Sequence, residues 1–192
     1  MTNWWWVRHG PTHEKAFTGW RDVPADLTDT TRIMRLRQYL PKNALVVSSD
    51  LIRAVATADA IADGRNRLPH SPELREFNFG DWDGLTFEEV AALDPALSRA
   101  YWETPGDISP PNGESWNAAS KRVTRFVTTL NTLYPARDII AVAHAGTIMT
   151  QIQNAGCLTP QQAILNKIDN LSVTLLSWQE DRGQIQMINH IP

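Results

Sequence analysis

The chain has 192 residues, 42% hydrophobic and 20% charged, a size and balance that predict one domain over 1–192 with a substantial core. Its formal net charge of −3 provides no general basic field for nucleic acid or an anionic membrane, so any anion must be held by a local cluster of Arg and His. Cys157 is the only cysteine, which excludes an internal disulfide and a Cys-based metal site and points to a reducing compartment.

Met1-Thr2-Asn3 has no basic region, and the apolar run from Trp4 is too short for a signal peptide. No stretch approaches the ~20 apolar residues of a membrane span. The expected location is the cytoplasm.

Trp4-Trp5-Trp6-Val7 is uncharged, aromatic and β-branched, and predicts a buried strand that delivers Arg8 and His9 to its carboxyl end before Gly10 and Pro11 stop it. Open α/β sheets bind ligands at such ends. Residues 10–27 contain Gly10, Pro11, Gly19 and Pro24 and read as a loop laid over the sheet. Thr28 can cap a helix to Leu40 with Ile33, Leu36 and Leu40 at helical spacing. Residues 44–47 predict a second buried strand, followed by the N-cap cluster Ser48-Ser49-Asp50. The Ala-rich helix expected over 51–63 has Ile52, Val55, Ala56 and Ala60 on one side and ends at Gly64.

Arg53 falls in the first turn of that helix, where the positive helix end disfavours a cation by about 0.3–1 kcal/mol. The position becomes sensible when a dianion sits between Arg53, Arg8 and the strand ends.

Residues 73–84 mix carboxylates with large aromatics, and 87–93 predict a short helix stopped by Asp94-Pro95. The Pro- and Gly-rich stretch 103–115, with the residues from 95 onward, reads as a lid over the sheet. Glu114-Ser115 leads into an amphipathic helix to 133, with Val123, Phe126, Val127 and Leu130 facing inward. Residues 139–143 are the clearest buried strand; it ends in His144-Ala145-Gly146, and Thr147 starts a helix. Two final strands, 171–178 and 184–188, flank a hairpin turn at 180–183 and offer an edge to a second copy of the chain. The alternation predicts a three-layer α/β/α sandwich, its sheet mainly parallel with an antiparallel edge strand.

His9 and His144 each follow a buried strand, so parallel pairing can bring both imidazoles into one pocket with Arg8 and Arg53. Two guanidiniums suit a phosphoryl group, and the peptide N–H groups of Ala145 and Gly146 add neutral donors. An imidazole there can attack phosphorus, and a carboxyl group can protonate the leaving alkoxide if aromatic surroundings raise its pKa. Glu76, flanked by Phe77 and Phe79, is the candidate; Glu73, Asp81 and Asp83 compete with it. His13, His70 and His190 are expected at the surface. Gly10 and Pro11 exclude the helix that His9 and His13 would need to act as metal ligands. Trp20, Trp82 and Trp102 are either walls of a leaving-group site or core.

Val7-Arg8-His9-Gly10-Pro11-Thr12 resembles the Arg-His-Gly signature of the histidine phosphatase superfamily, which is phosphoglycerate mutase-like. Four further blocks agree in order: Phe17-Thr18-Gly19-Trp20; 48–54 with Thr57-Ala58; Leu74-Arg75-Glu76 with 80–84; and Val142-Ala143-His144-Ala145-Gly146. The resemblance implies a phosphohistidine mechanism on a small phosphomonoester. His9 would be the nucleophile, and Glu76 the acid and then the base. Arg8, Arg53 and His144 would hold the phosphoryl group, with Thr18 and Gly19 reaching it from the loop. No metal or cofactor enters this scheme.

Two departures separate the chain from the mutases of that family. The loop between His9 and Phe17 is short and lacks their Asn, and 101–106 lacks the paired arginines that grip a substrate carboxylate. The missing Asn removes one phosphate contact of the family, and the missing arginines favour water as the acceptor, hence a phosphatase similar to the family's α-ribazole phosphatases and broad phosphomonoesterases. The alternatives are a cofactor-dependent mutase and a catalytically idle phospho-ligand binding domain.

Overall fold

A computed structural model describes residues 1–180 and 182–192. In chain order its elements are β1 (Thr2–Arg8), α1 (Thr30–Tyr39), β2 (Leu45–Ser48), α2 (Ile52–Ala62), β3 (Asn66–Arg67), α3 (Phe87–Leu93), α4 (Pro95–Glu103), α5 (Trp116–Leu133), β4 (Asp138–Ala143), α6 (Ala145–Gly156), α7 (Pro160–Ala163), β5 (Val173–Gln179) and β6 (Arg182–His190). The six strands form one sheet in the order β3-β2-β4-β1-β5-β6. β1, β4, β2 and β3 are mutually parallel, whereas β5 runs antiparallel to both β1 and β6. The sheet is thus mainly parallel, with its antiparallel pairings on one side. Of the expected hairpin turn at 180–183, Asp181 lies outside the described residues.

β1 is central, which is why an uninterrupted apolar run suits it: both faces of the strand are covered. Trp4 and Trp6 stack with ring centroids 5.2 Å apart and pack with Val123 and Val127 of α5 and Ile148 and Ile152 of α6. Val7 points to the other face, against Ile33 and Leu36 of α1 and Ala54, Ala58 and Ile61 of α2. A third apolar cluster gathers Phe77, Trp82, Val90, Tyr101 and Trp116.

Several helix boundaries and faces differ from the sequence-based expectation. α1 is capped by Asp29, whose side chain accepts from Arg32 N, while the Thr28 hydroxyl donates to Asp26. α2 takes no cap from the Ser48-Ser49-Asp50 cluster; its Ile52 N–H donates instead to Asp22 Oδ1 of the 10–27 loop, at 2.7 Å. Nor is Ile52-Val55-Ala56-Ala60 the buried face. Arg53, Ala54, Thr57, Ala58 and Ile61 are buried and Ile52 is 47% exposed, because α2 turns its one arginine inward. The expected lid over 95–115 begins with a helix: Asp94 ends α3 and also caps α4, accepting from Leu97 N at 3.0 Å, with Pro95 at the first helical position. Read as a stop, Pro95 is equally a start. α6 starts at Ala145, two residues earlier than expected.

Candidate active site

The register Arg8↔Ala143 sets the carboxyl ends of β1 and β4 side by side, and His9 N donates to Ala143 O at 3.1 Å. The residues immediately beyond, His9 and His144, therefore meet with ring centroids 5.0 Å apart. Both are buried, His144 completely.

Their proton positions follow from their partners. His9 Nδ1 lies 2.6 Å from the Gly10 carbonyl oxygen, which can only accept, so Nδ1 carries the proton and Nε2 keeps its lone pair. Burial pushes the His9 pKa down to about 3 against the opposing Gly10 bond, and the nearby Arg53 and Arg8 lower it further, so the ring is neutral. His144 Nδ1 accepts from Arg53 Nε at 3.3 Å; a guanidinium only donates, so Nε2 bears the hydrogen. Among the described residues that Nε2 has no partner. Burial first, then the closeness of the His9 ring and of the Arg53 and Arg8 guanidiniums, hold His144 well below the ordinary imidazole range.

Arg53 is 1% exposed, so its fork must be satisfied inside the protein. Nη1 donates to Arg21 O at 2.9 Å and Nη2 to Gly19 O at 2.6 Å and Thr18 O at 3.3 Å, which straps the loop to α2. Thr57 Oγ1, one turn on, accepts from Gly10 N at 3.0 Å. Arg8 donates from Nη1 to Ile168 O at 2.7 Å, and its buried Nε has no partner among the described residues.

Glu76 faces this group from the segment after β3. Its Oε2 accepts from Gly146 N at 3.1 Å, and its Oε1 from Phe77 N at 3.0 Å and Thr147 N at 3.2 Å. The carboxyl group thus sits on the N-terminus of α6, where the helix dipole favours negative charge. Gly146 makes room for it: a Cβ there would lie 2.6 Å from Glu76 Oε1. The Glu76 carbonyl is held by Trp20 Nε1 at 2.8 Å and Arg122 Nη2 at 3.3 Å.

Arg8, His9, Arg53, Glu76 and His144 are therefore brought together, as the sequence pattern anticipates. The competitors of Glu76 are occupied elsewhere: Glu73 pairs with Arg125, Asp81 accepts from Asn112, and Asp83 accepts from Gly19 N and Arg21 N. Two expected anion donors are already engaged, Gly19 N by Asp83 and Gly146 N by Glu76, and the Thr18 hydroxyl donates to Ala16 O. His13 and His70 are exposed, whereas His190 is half-buried against Tyr39. Trp82 belongs to the core; Trp20 and Trp102 adjoin the site.

Glu76, Ala145 and Gly146 form one wall of a cavity of about 390 Å³, closed by Phe77, Phe79, Tyr101, Trp102, Trp116 and other apolar side chains. Tyr101 and Trp116 carry no signal in the sequence that marks them as cavity residues, because their placement depends on how α4 and α5 pack. Arg122 is likewise unannounced. It pairs with Glu114 through Nε and Nη2, both at 2.8 Å, and collects the carbonyls of Glu73, Arg75 and Glu76.

Sheet order, flanking helices and two histidines at adjacent strand ends define a phosphoglycerate mutase-like α/β protein. The model of the histidine phosphatase superfamily (branch 1) matches residues 4–191, and the chain belongs to that superfamily. It is 29% identical over 191 residues to phosphoglycerate mutase-like protein 4 of Arabidopsis thaliana, covering 94% of this chain and 82% of that protein. It is 32% identical over 154 residues to the adenosylcobalamin/alpha-ribazole phosphatase of Salmonella typhimurium, covering 75% and 74%. The solved structure of mycobacterial glucosyl-3-phosphoglycerate phosphatase superposes with a TM-score of 0.86 at 27% identity, covering 99% of each chain. Among the described residues no helix is long and apolar enough to cross a membrane.

Proposed function

We propose that the chain, as one domain over 1–192, is a metal-independent phosphatase that hydrolyses a small phosphomonoester through a phosphohistidine on His9. The observation that carries this reading is the His9 Nδ1 to Gly10 O bond, which leaves Nε2 as a neutral nucleophile inside a cluster of positive donors. Nε2 attacks phosphorus and the ester P–O bond breaks. Glu76, as the carboxylic acid, gives its proton to the departing oxygen. The same group then takes a proton from water, whose oxygen forms the new P–O bond as the P–N bond to His9 breaks; phosphate leaves and His9 is restored.

Arg8, Arg53 and the Nε2–H of His144 bind the phosphoryl oxygens and offset the charge that builds on them. The peptide donors of Phe77, Gly146 and Thr147 stabilise the Glu76 carboxylate formed after the first proton transfer. Water as acceptor is favoured over a second substrate hydroxyl because the cavity beside Glu76 presents no cation to anchor a phosphoglycerate carboxylate among the described residues. The phosphatase names among its relatives support the same choice.

The test is phosphate release from a panel of phosphomonoesters, including α-ribazole 5′-phosphate, 3-phosphoglycerate, sugar phosphates and an aryl phosphate, with chelator present. Release that survives the chelator is expected. Silence with hydrolysis, but interconversion of phosphoglycerate isomers, would make the protein a mutase; silence in both, with phosphate still bound, would make it a binding domain.

A further inference from the structure

The geometry points to a substrate whose leaving group is a planar, uncharged, largely apolar ring system, held against the aromatic walls of the cavity beside Glu76. The inference rests on the phosphatase reading and takes it further.

The leaving group must lie on the Glu76 side of phosphorus, because Glu76 is the group that protonates the departing oxygen. That side opens into the 390 Å³ cavity, a volume within the range of about 300–1,000 Å³ found for small-molecule sites. Its walls are aromatic and aliphatic: Phe77, Phe79, Trp102, Trp116, Met149 and Ile164. Among the described residues no Lys, Arg or His lines it; its only ionisable groups are the Glu76 carboxyl and the Tyr101 phenol. A leaving group with a carboxylate or a second phosphate would bury a negative charge there with no counter-ion among the described residues. A flat apolar ring meets offset and edge-on aromatic neighbours instead.

Tyr101 and Trp102 extend the aromatic wall. Tyr101 is 4% exposed, it lines the cavity, and its hydroxyl has no hydrogen-bond partner among the described residues. Burial, with Glu76 and Glu114 nearby, pushes the phenol's pKa up, so it stays a donor. Trp102 Nε1, on the next residue, is a second buried donor without a partner. Both donors are covered by their neighbours, so these two side chains meet the cavity with their rings and add to its apolar surface.

The test measures kcat/KM by phosphate release for esters whose leaving alcohols have similar basicity. These are benzyl phosphate, 3-phosphoglycerate and phosphoserine. Benzyl phosphate is expected to exceed both carboxylated esters by about tenfold or more. Trp102→Ala, which removes one aromatic wall, should narrow that ratio, mainly through KM. The ratio is internal to each variant, so partial loss of folded protein cancels from it. Carboxylated esters turning over as well as benzyl phosphate would overturn the inference while leaving the phosphatase reading intact. Release from none of the three would overturn both.

Discussion

Arg53 Nε donates to His144 Nδ1 at 3.3 Å, and that one bond decides that His144 presents an N–H, not a lone pair, to whatever lies beside His9. The same guanidinium holds three loop carbonyls. Arg53→Lys keeps the charge but cannot make the fork. It should lower kcat/KM by about 10²–10³-fold, the scale of losing one transition-state donor, with thermal unfolding shifted down as Thr18, Gly19 and Arg21 lose their shared donor. A variant within threefold of the parent would show that Arg53 does not organise the site.

Glu76→Gln should cost about 10²–10⁴-fold in kcat on an alkyl phosphate, where the leaving oxygen needs a proton. On a nitrophenyl ester, which departs as a stable anion, the cost of the first step should be far smaller. Gly146→Ala should reproduce much of the alkyl-ester loss without removing the carboxyl group, because the added methyl would stand 2.6 Å from Glu76 Oε1. Steady-state kinetics on the two ester types separates these outcomes.

The buried histidines make stability fall with acidity. His9 has a folded pKa of about 3 against an ordinary 6.5, so between these values the unfolded chain binds the proton and the folded one does not. Stability is therefore fully present above pH 6.5 and declines as pH drops toward 3. The slope for one such group approaches about 1.4 kcal/mol per pH unit. His144, lowered in the same direction, adds to it. Urea unfolding between pH 7 and 5 should show a shallower slope for His9→Gln than for the parent; equal slopes would mean that His9 is not held neutral.

Arg122 is placed to position Glu76. With Glu114 it ties α5 to the segment carrying Glu76, and the Asn78 N–H donates to the same Glu114 carboxylate. Arg122→Met leaves Glu114 without its cation and should destabilise the fold by about 3 kcal/mol. At temperatures where it remains folded, it should lower kcat more than it raises KM and shift the pH limb of kcat that reports the acid. A stability loss with an unchanged pH profile would limit Arg122 to a structural role.

Much of this organisation is legible in the residues themselves, for identifiable reasons. Trp4 to Val7 announce the central strand because a strand covered on both faces needs no polar alternation. Arg8, His9 and His144 are legible because they follow buried strands directly, and Arg53 because its charge conflicts with a helix start. α2 misleads for the same reason: apolar periodicity favours the face holding Ile52, but Arg53 and Thr57 are drawn inward by the loop carbonyls and Gly10. α4 is missed because Asp94-Pro95 ends one helix and opens another with the same two residues. Choosing Glu76 from its neighbours takes a resemblance or a structure, since local sequence does not reveal that the α6 N-terminus reaches it. Tyr101 and Arg122 owe their places wholly to packing between distant elements.

The most direct measurement is to quench the enzyme during turnover of a ³²P-labelled ester and map the label. Phosphate on His9, stable to base and labile to acid, formed at least as fast as the steady state and absent in His9→Ala, is the expected result. Turnover by His9→Ala, or turnover by the parent with no phosphohistidine formed, would contradict the assignment of His9 as nucleophile.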